Sequence, residues 1–178
     1  TSDQVVNLLE RSAVDATPAN GCPRCASGRD ALTGWGHLDV TAALGALALP
    51  LPTADKHEPN DDAGTQAFTL WGSRRTVNAT LDYWDDQNDV YRLYLRRGQR
   101  VAVSLAAASG LDPALALWRP GTVEVDDLSR QDLRAQLSST AGPDERLRYR
   151  AKVTGWYFLH VKLGTPGSGD YRLTVAKR

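Results

Sequence analysis

Methionine is missing from the chain altogether, position 1 included, although the chain runs to 178 residues. We therefore expect a processed product or a piece cut from a longer polypeptide. Acidic and basic residues balance at 21 each. With no basic excess, and with arginines scattered among acids, nucleic acid is not an expected partner. The longest apolar run, from Thr41 to Leu51, is too short to span a membrane and is broken by Pro50. No membrane partner is expected either, and no stretch has the form of a signal peptide. Only two cysteines occur, so a zinc site would need further ligands, and neither a second Cys pair nor a close His pair supplies them.

What is present suits a folded soluble protein, since 42% of the residues are hydrophobic. The stretch from Asp89 to Leu105 carries the clearest pattern. Tyr91, Leu93 and Leu95 alternate with Arg92, Tyr94 and Arg96; after Arg97-Gly98-Gln99, Val101, Val103 and Leu105 alternate with Ala102 and Ser104. A two-residue period on both sides of a Gly-containing break reads as an antiparallel hairpin with one buried face. Gly98 can take the positive φ that such turns require. A lone hairpin cannot cover that face, so further strands must.

Those strands are expected at 66–71, 76–81, 89–96, 100–107, 114–118, 147–153, 157–163 and 171–176. Their inward candidates include Val77, Leu81, Leu115, Leu117, Tyr149, Val153, Tyr157, Leu159, Val161, Tyr171, Leu173 and Val175. Short strands with alternating faces and regular turns point to an antiparallel β-sandwich, jelly-roll-like in kind. The stretch 119–146 is longer than a strand connection should be. Ser129 as a cap, with Leu128 stapled to Leu133 and Leu133 sharing a face with Leu137, predicts one short helix there.

The first 48 residues read differently. Thr1-Ser2-Asp3-Gln4 has the form of a capping box, and Val5, Leu8 and Leu9 follow at helical spacing. A loop rich in Pro, Gly and Asn then holds Cys22-Pro23-Arg24-Cys25. A redox dithiol would need a βαβ context that is absent. A local disulfide stapling a loop of a secreted protein suits the pair best, and a bond to a partner outside the chain stays open. Farther on, Asp39 can cap a short helix from Val40 to Leu47, behind glycine turns around a buried Trp35.

A helix over 1–13, then Thr33-Gly34-Trp35-Gly36-His37-Leu38-Asp39-Val40 and an Ala-rich helix, resembles the last segment of a subtilisin-like (S8) serine protease domain. The order and spacing of all three pieces agree over residues 1–48. The family's Gly-Thr-Ser nucleophile motif and its Asp and His motifs are absent from this chain. His37, His57 and His160 match none of them, so the chain by itself is expected to be inert.

Residues 49–57 form a linker stiffened by Pro50 and Pro52. Beyond it, Glu58-Pro59-Asn60-Asp61, the acidic loop from Asp82 to Asp89, Gly155-Trp156-Tyr157 and Asp170-Tyr171 together resemble the bacterial pre-peptidase C-terminal domain. That resemblance spans about 56–178, with the domain proper at 58–178. It implies an accessory β-sandwich of a secreted, extracellular protease whose partner is the remainder of the catalytic domain.

Glu58, Asn60, Asp61 and Asp62 before one strand, and Asp85, Asp86, Asn88 and Asp89 before another, supply hard oxygens of the kind calcium requires, with Glu58, Asn60, Asp61, Asp86 and Asp89 as the candidate ligands. Collagen-binding relatives of this fold use similar acids for Ca2+, although Lys56 stands here where they carry another acid. The same residues also suit turns, so both readings stay open. The alternative function is a free-standing extracellular binding module for collagen-like protein or polysaccharide, with Trp71, Tyr83, Trp84 and Trp118 as contact candidates. A purely structural spacer is the third reading.

Overall fold

The computed structural model describes residues 2–48, 50 and 52–178, and the chain divides into two compact units, Thr1–Thr53 and Ala54–Arg178. The cap expected at Thr1, and Leu49 and Leu51 of the linker, lie outside the described residues.

In the first unit, α1 spans Ser2–Ser12 and α2 spans Val40–Ala46. Asp39 caps α2 by accepting from the Ala42 N–H at 2.8 Å. The loop between the helices is closed by Val14 and His37, which exchange two backbone hydrogen bonds of 2.8 Å. Gly36 permits that closure: its φ is +106°, and a Cβ there would stand 2.2 Å from the Val14 carbonyl oxygen. Trp35 is half-buried rather than buried, with the Arg29 guanidinium 5.8 Å from its ring centre. Cys22 and Cys25 stand at disulfide distance, their Cα atoms 5.4 Å apart. Of the expected apolar helix faces only Leu8 is buried, while Val5 and Leu44 are more than half exposed. No helix among the described residues is long and apolar enough to cross a membrane.

The second unit holds nine strands: β1 Phe68–Thr69, β2 Arg74–Asp82, β3 Asn88–Leu95, β4 Arg100–Ala107, β5 Pro113–Trp118, β6 Arg134–Ser138, β7 Asp144–Arg150, β8 Gly155–Leu163 and β9 Ser168–Lys177. They form a five-stranded sheet ordered β1-β3-β8-β5-β6 and a four-stranded sheet ordered β2-β9-β4-β7. All pairings are antiparallel except β1 with β3. The architecture is mainly β and sandwich-like. Leu93, Leu95, Leu105, Leu117, Leu147 and Leu159 are fully buried in it, each contributing about 1.5–3 kcal/mol by leaving water.

The hairpin expected over 89–105 is not one. β3 pairs with β1 and β8, whereas β4 pairs with β7 and β9 in the other sheet. The turn at Gly98 (φ +86°) carries the chain from one sheet to the other. Alternation records only that one face is buried; two strands facing each other across a core satisfy it as well as two side by side.

The helix expected in 119–146 is also corrected. Asp127, not Ser129, caps a 3₁₀ stretch over Leu128–Leu133, accepting from the Ser129 N–H at 2.8 Å. Leu128 is almost fully exposed, so no staple forms, and Leu137 lies on β6, a strand the sequence pattern did not reveal. This excursion has a packing role. Val125 and Leu133 join Ala63, Ala67, Val90, Ala116, Trp118 and Phe158 in a separate apolar cluster. β3, β5 and β8 thus bury residues on both faces, a feature that clean alternation cannot report. Val153, expected inside, is exposed, because β7 ends at Arg150.

Candidate metal centre

The β2–β3 connection and the segment entering the second unit meet at one end of the sandwich. Asp82 and Asp86 exchange backbone hydrogen bonds of 2.9 Å each, closing a tight acidic loop ahead of β3. The backbone of Asn60 is tied to β3 by the Val90 N–H, which donates to its carbonyl at 2.6 Å. Its side-chain Nδ2 donates to Asp89 Oδ1 at 2.6 Å, and its own N–H donates to Glu58 Oε2 at 3.1 Å. Asp55 turns back in the same region: its carboxylate accepts from the His57 N–H at 2.6 Å and the Thr80 N–H at 2.9 Å.

These bonds bring acids from two separate stretches, 55–61 and 86–89, together. Carboxylate oxygens of Asp55, Glu58 and Asp89 lie within 4.8 Å of one another, as do those of Glu58, Asp61 and Asp86. Glu58 belongs to both groups. Each of the five candidate ligands read from the sequence is therefore in this cluster, with Asn60 hydrogen-bonded to Asp89. Asp55 is the further acid of the cluster, one that sequence reasoning placed in the linker instead. It is separated from the acidic run by Lys56 and His57, and only the folded turn returns it to Glu58. Lys56 is exposed.

Electrostatics show that the carboxylates are crowded beyond what their surroundings satisfy. Burial first, then the neighbouring charges of Asp89, Glu58 and Asp61, push the Asp86 carboxyl up to about 9. Burial likewise pushes Asp89 up to about 8, against the hydrogen bonds from Tyr171 and Asn60 that favour its charge. Glu58 is raised mainly by burial. Behind Asp89, the Tyr171 hydroxyl donates to Oδ2, and Tyr91 and Tyr171 hydroxyls lie 2.5 Å apart. Burial and the Asp89 charge hold both phenols above their ordinary range.

Three acceptor atoms here are buried without a hydrogen-bond partner: Glu58 Oε1, Asn60 Oδ1 and Asp86 Oδ1. A proton can satisfy a carboxylate oxygen. The amide oxygen of Asn60 is fully buried and accepts only. An array of hard oxygens that lacks donors fits a hard cation, and the donor set matches calcium rather than zinc.

The candidate binding aromatics do not act together. Trp71 is exposed and meets Trp156 edge-on at 5.8 Å. Tyr83 is buried against half-buried Trp84 at 5.6 Å. Trp118 is fully buried in the outer-face cluster, so it cannot serve as a contact residue. A large ring at a strand end buries more area inside than it offers outside. Trp156, part of the Gly155-Trp156-Tyr157 motif but not among the expected contact residues, packs between Trp71 and Tyr94 under the Arg92 guanidinium.

Among the described residues, His57 and His160 lie in packed surroundings. His57 packs edge-on against Phe68 at 4.4 Å. His160 is buried, shares a 2.9 Å hydrogen bond with Asn88 Oδ1 through Nε2, and is pushed by burial down to about 4. It is neutral at physiological pH.

No family model matches the sequence, and no curated protein matches it. Among solved structures, the pre-peptidase C-terminal domain of a collagenase from Bacillus anthracis is similar at 23% identity and a TM-score of 0.50, covering 61% of this chain and 93% of that one. PliG of Aeromonas hydrophila, a periplasmic inhibitor of g-type lysozyme, is similar at 13% identity and a TM-score of 0.51, covering 63% of this chain and 96% of that one. At these identities the likeness is one of fold. A mainly β, sandwich-like fold is what this chain shares with them.

Proposed function

We propose that this chain is the non-catalytic C-terminal portion of a secreted subtilisin-like serine endopeptidase, its second unit serving as a calcium-stabilised accessory domain. The carboxylate cluster, with its buried unpartnered oxygens, is the observation that carries the reading. Glu58, Asp86 and Asp89, with Asn60, Asp61 and Asp55 around them, would hold the ion. A divalent cation there would replace the protons that burial, and then neighbouring charge, keep on these acids. It would also fasten the entering segment to β3, because its ligands come from both.

Two further features support the protease assignment. The fold is that of a domain found in a collagenase. The first unit leaves Val5, Val6, Leu38, Val40, Leu44 and Leu47 at least half exposed, as expected of helices that complete a larger α/β domain.

Exposed Trp71 favours a second reading, an extracellular binding module that acts on protein or polysaccharide without a protease partner. Isothermal titration of the full chain with calcium chloride tests the first reading. Saturable binding that Asp86→Asn weakens at least about tenfold is expected for a ligand carboxylate. No binding, or binding indifferent to Asp86, would leave the acids as turn residues.

A further inference from the structure

The end of the sandwich opposite the carboxylate cluster is charged with the other sign. It comprises the start of β2, the β3–β4 turn, the β7–β8 turn and the end of β9. The four segments that build it, residues 72–78, 94–103, 147–158 and 172–178, contain no Asp or Glu. In a chain whose formal charge sums to zero, such segregation leaves one pole basic.

Strand register concentrates that charge on the open face of the four-stranded sheet. Arg100 lies directly across from Arg150. On its other side Arg100 exchanges backbone hydrogen bonds of 2.8 Å with Arg178. Val101 is buried and Tyr149 half-buried, so the alternating arginines point away from the core. Three arginines therefore stand side by side across successive strands about 4.8 Å apart. Arg148 continues the row along β7, opposite Ala102, and Ala102 in turn faces Ala176.

Like charges placed directly across a sheet cost stability. These four are exposed, and no carboxylate pairs with any of them among the described residues. Arg150 spends one donor on the Gly98 carbonyl at 3.2 Å, and the other forks are left to solvent. Together they rim a shallow groove of about 470 Å³ floored by Ala102 and Ala176. A floor of alanines leaves room for a chain to lie flat, and guanidinium forks pair bidentately with carboxylate or sulfate groups.

We propose that this groove binds an acidic polysaccharide, one bearing carboxylate or sulfate groups along an extended chain. Charge complementarity selects the polyanion. Half-buried Tyr149 is the one aromatic ring lining the groove, so it lacks the stacking platform that single-stranded nucleic acid requires. β7, which carries Arg148 and Arg150, is an edge strand of its sheet, but the guanidinium row lies over the sheet face, where a chain held by its charges needs no backbone pairing. The inference rests on the extracellular reading of the second unit and uses a surface separate from the carboxylate cluster.

The test is fluorescence anisotropy of the full chain with a labelled heparin-derived oligosaccharide at low ionic strength. The expected result is saturable binding that weakens as salt approaches about 0.15 M. Arg148→Gln/Arg150→Gln should lower affinity at least about tenfold, and the control pair Arg130→Gln/Arg134→Gln should change it less than about twofold. Where the double variant fails to melt cooperatively, Arg100→Gln alone reads the same groove. Calcium titration of these variants should match the unaltered chain, which keeps this inference separable from the metal site. Absence of binding at low salt, equal loss in the control pair, or equal or tighter binding of a thymidine oligonucleotide or polyglutamate would overturn it.

Discussion

Two buried acidic sites in the same sandwich are handled in opposite ways. Glu145, on β7, is buried, and its carboxylate accepts from the Ser138 hydroxyl, the Thr140 N–H and the Thr140 hydroxyl. Both of its oxygens are satisfied by a turn that wraps them. At the other site Glu58, Asp86 and Asp89 crowd together, two oxygens go unpartnered, and their proton affinities rise. Buried charge is tolerated where donors surround it, and it needs a proton or a cation where they do not. Burial of an acid is therefore no sign of a site; a deficit of donors around it is.

That contrast is open to test by pH first. Unfolded Asp titrates near about 3.9, whereas folded Asp89 and Asp86 titrate at about 8 and about 9. Between those limits the folded chain binds more protons than the unfolded one, so stability falls as pH rises through the window. Without calcium, urea unfolding should show a loss on the order of several kcal/mol from pH 5 to pH 9. Asp86→Asn should flatten that slope.

Calcium should act next in size. At a free concentration a hundred times its dissociation constant, the gain is about 2.7 kcal/mol, or roughly 5–10 °C in melting temperature for a chain of this length. Asp89→Ala should abolish the shift in a thermal melt with calcium and with chelator. Glu145→Ala should instead cost about 1–3 kcal/mol, equally with and without calcium, because it orphans the donors of Ser138 and Thr140. The smallest effect is expected from Trp71→Ala, within about 0.5 kcal/mol by denaturant melt, since its ring is mostly in solvent.

Much of this was legible in the sequence. Asp and Asn recurring ahead of strand entries marked Glu58, Asn60, Asp61, Asp86 and Asp89 as ligand candidates, and the fold brings them together. Two-residue alternation located eight of nine strands, because a strand with one buried face must alternate. It did not assign them to sheets, since partners along a sheet and across a core leave the same trace in sequence. β6 escaped because its residues are half-buried or exposed throughout, which leaves no periodic signal. Trp118 misled for a related reason: its sheet is covered on both sides, and the cover is supplied by loops that carry no pattern. Asp55 and the arginine row depend on long-range return of the chain, which local spacing does not encode.

The central claim is that the carboxylate cluster holds protons in place of a cation. Calorimetric titration with calcium at pH 7, in two buffers of different ionisation enthalpy, counts the protons released as the ion binds. With Asp86 at about 9 and Asp89 at about 8, the account predicts release of about one to two protons per calcium. Calcium binding that releases none, or no calcium binding at all, would contradict it.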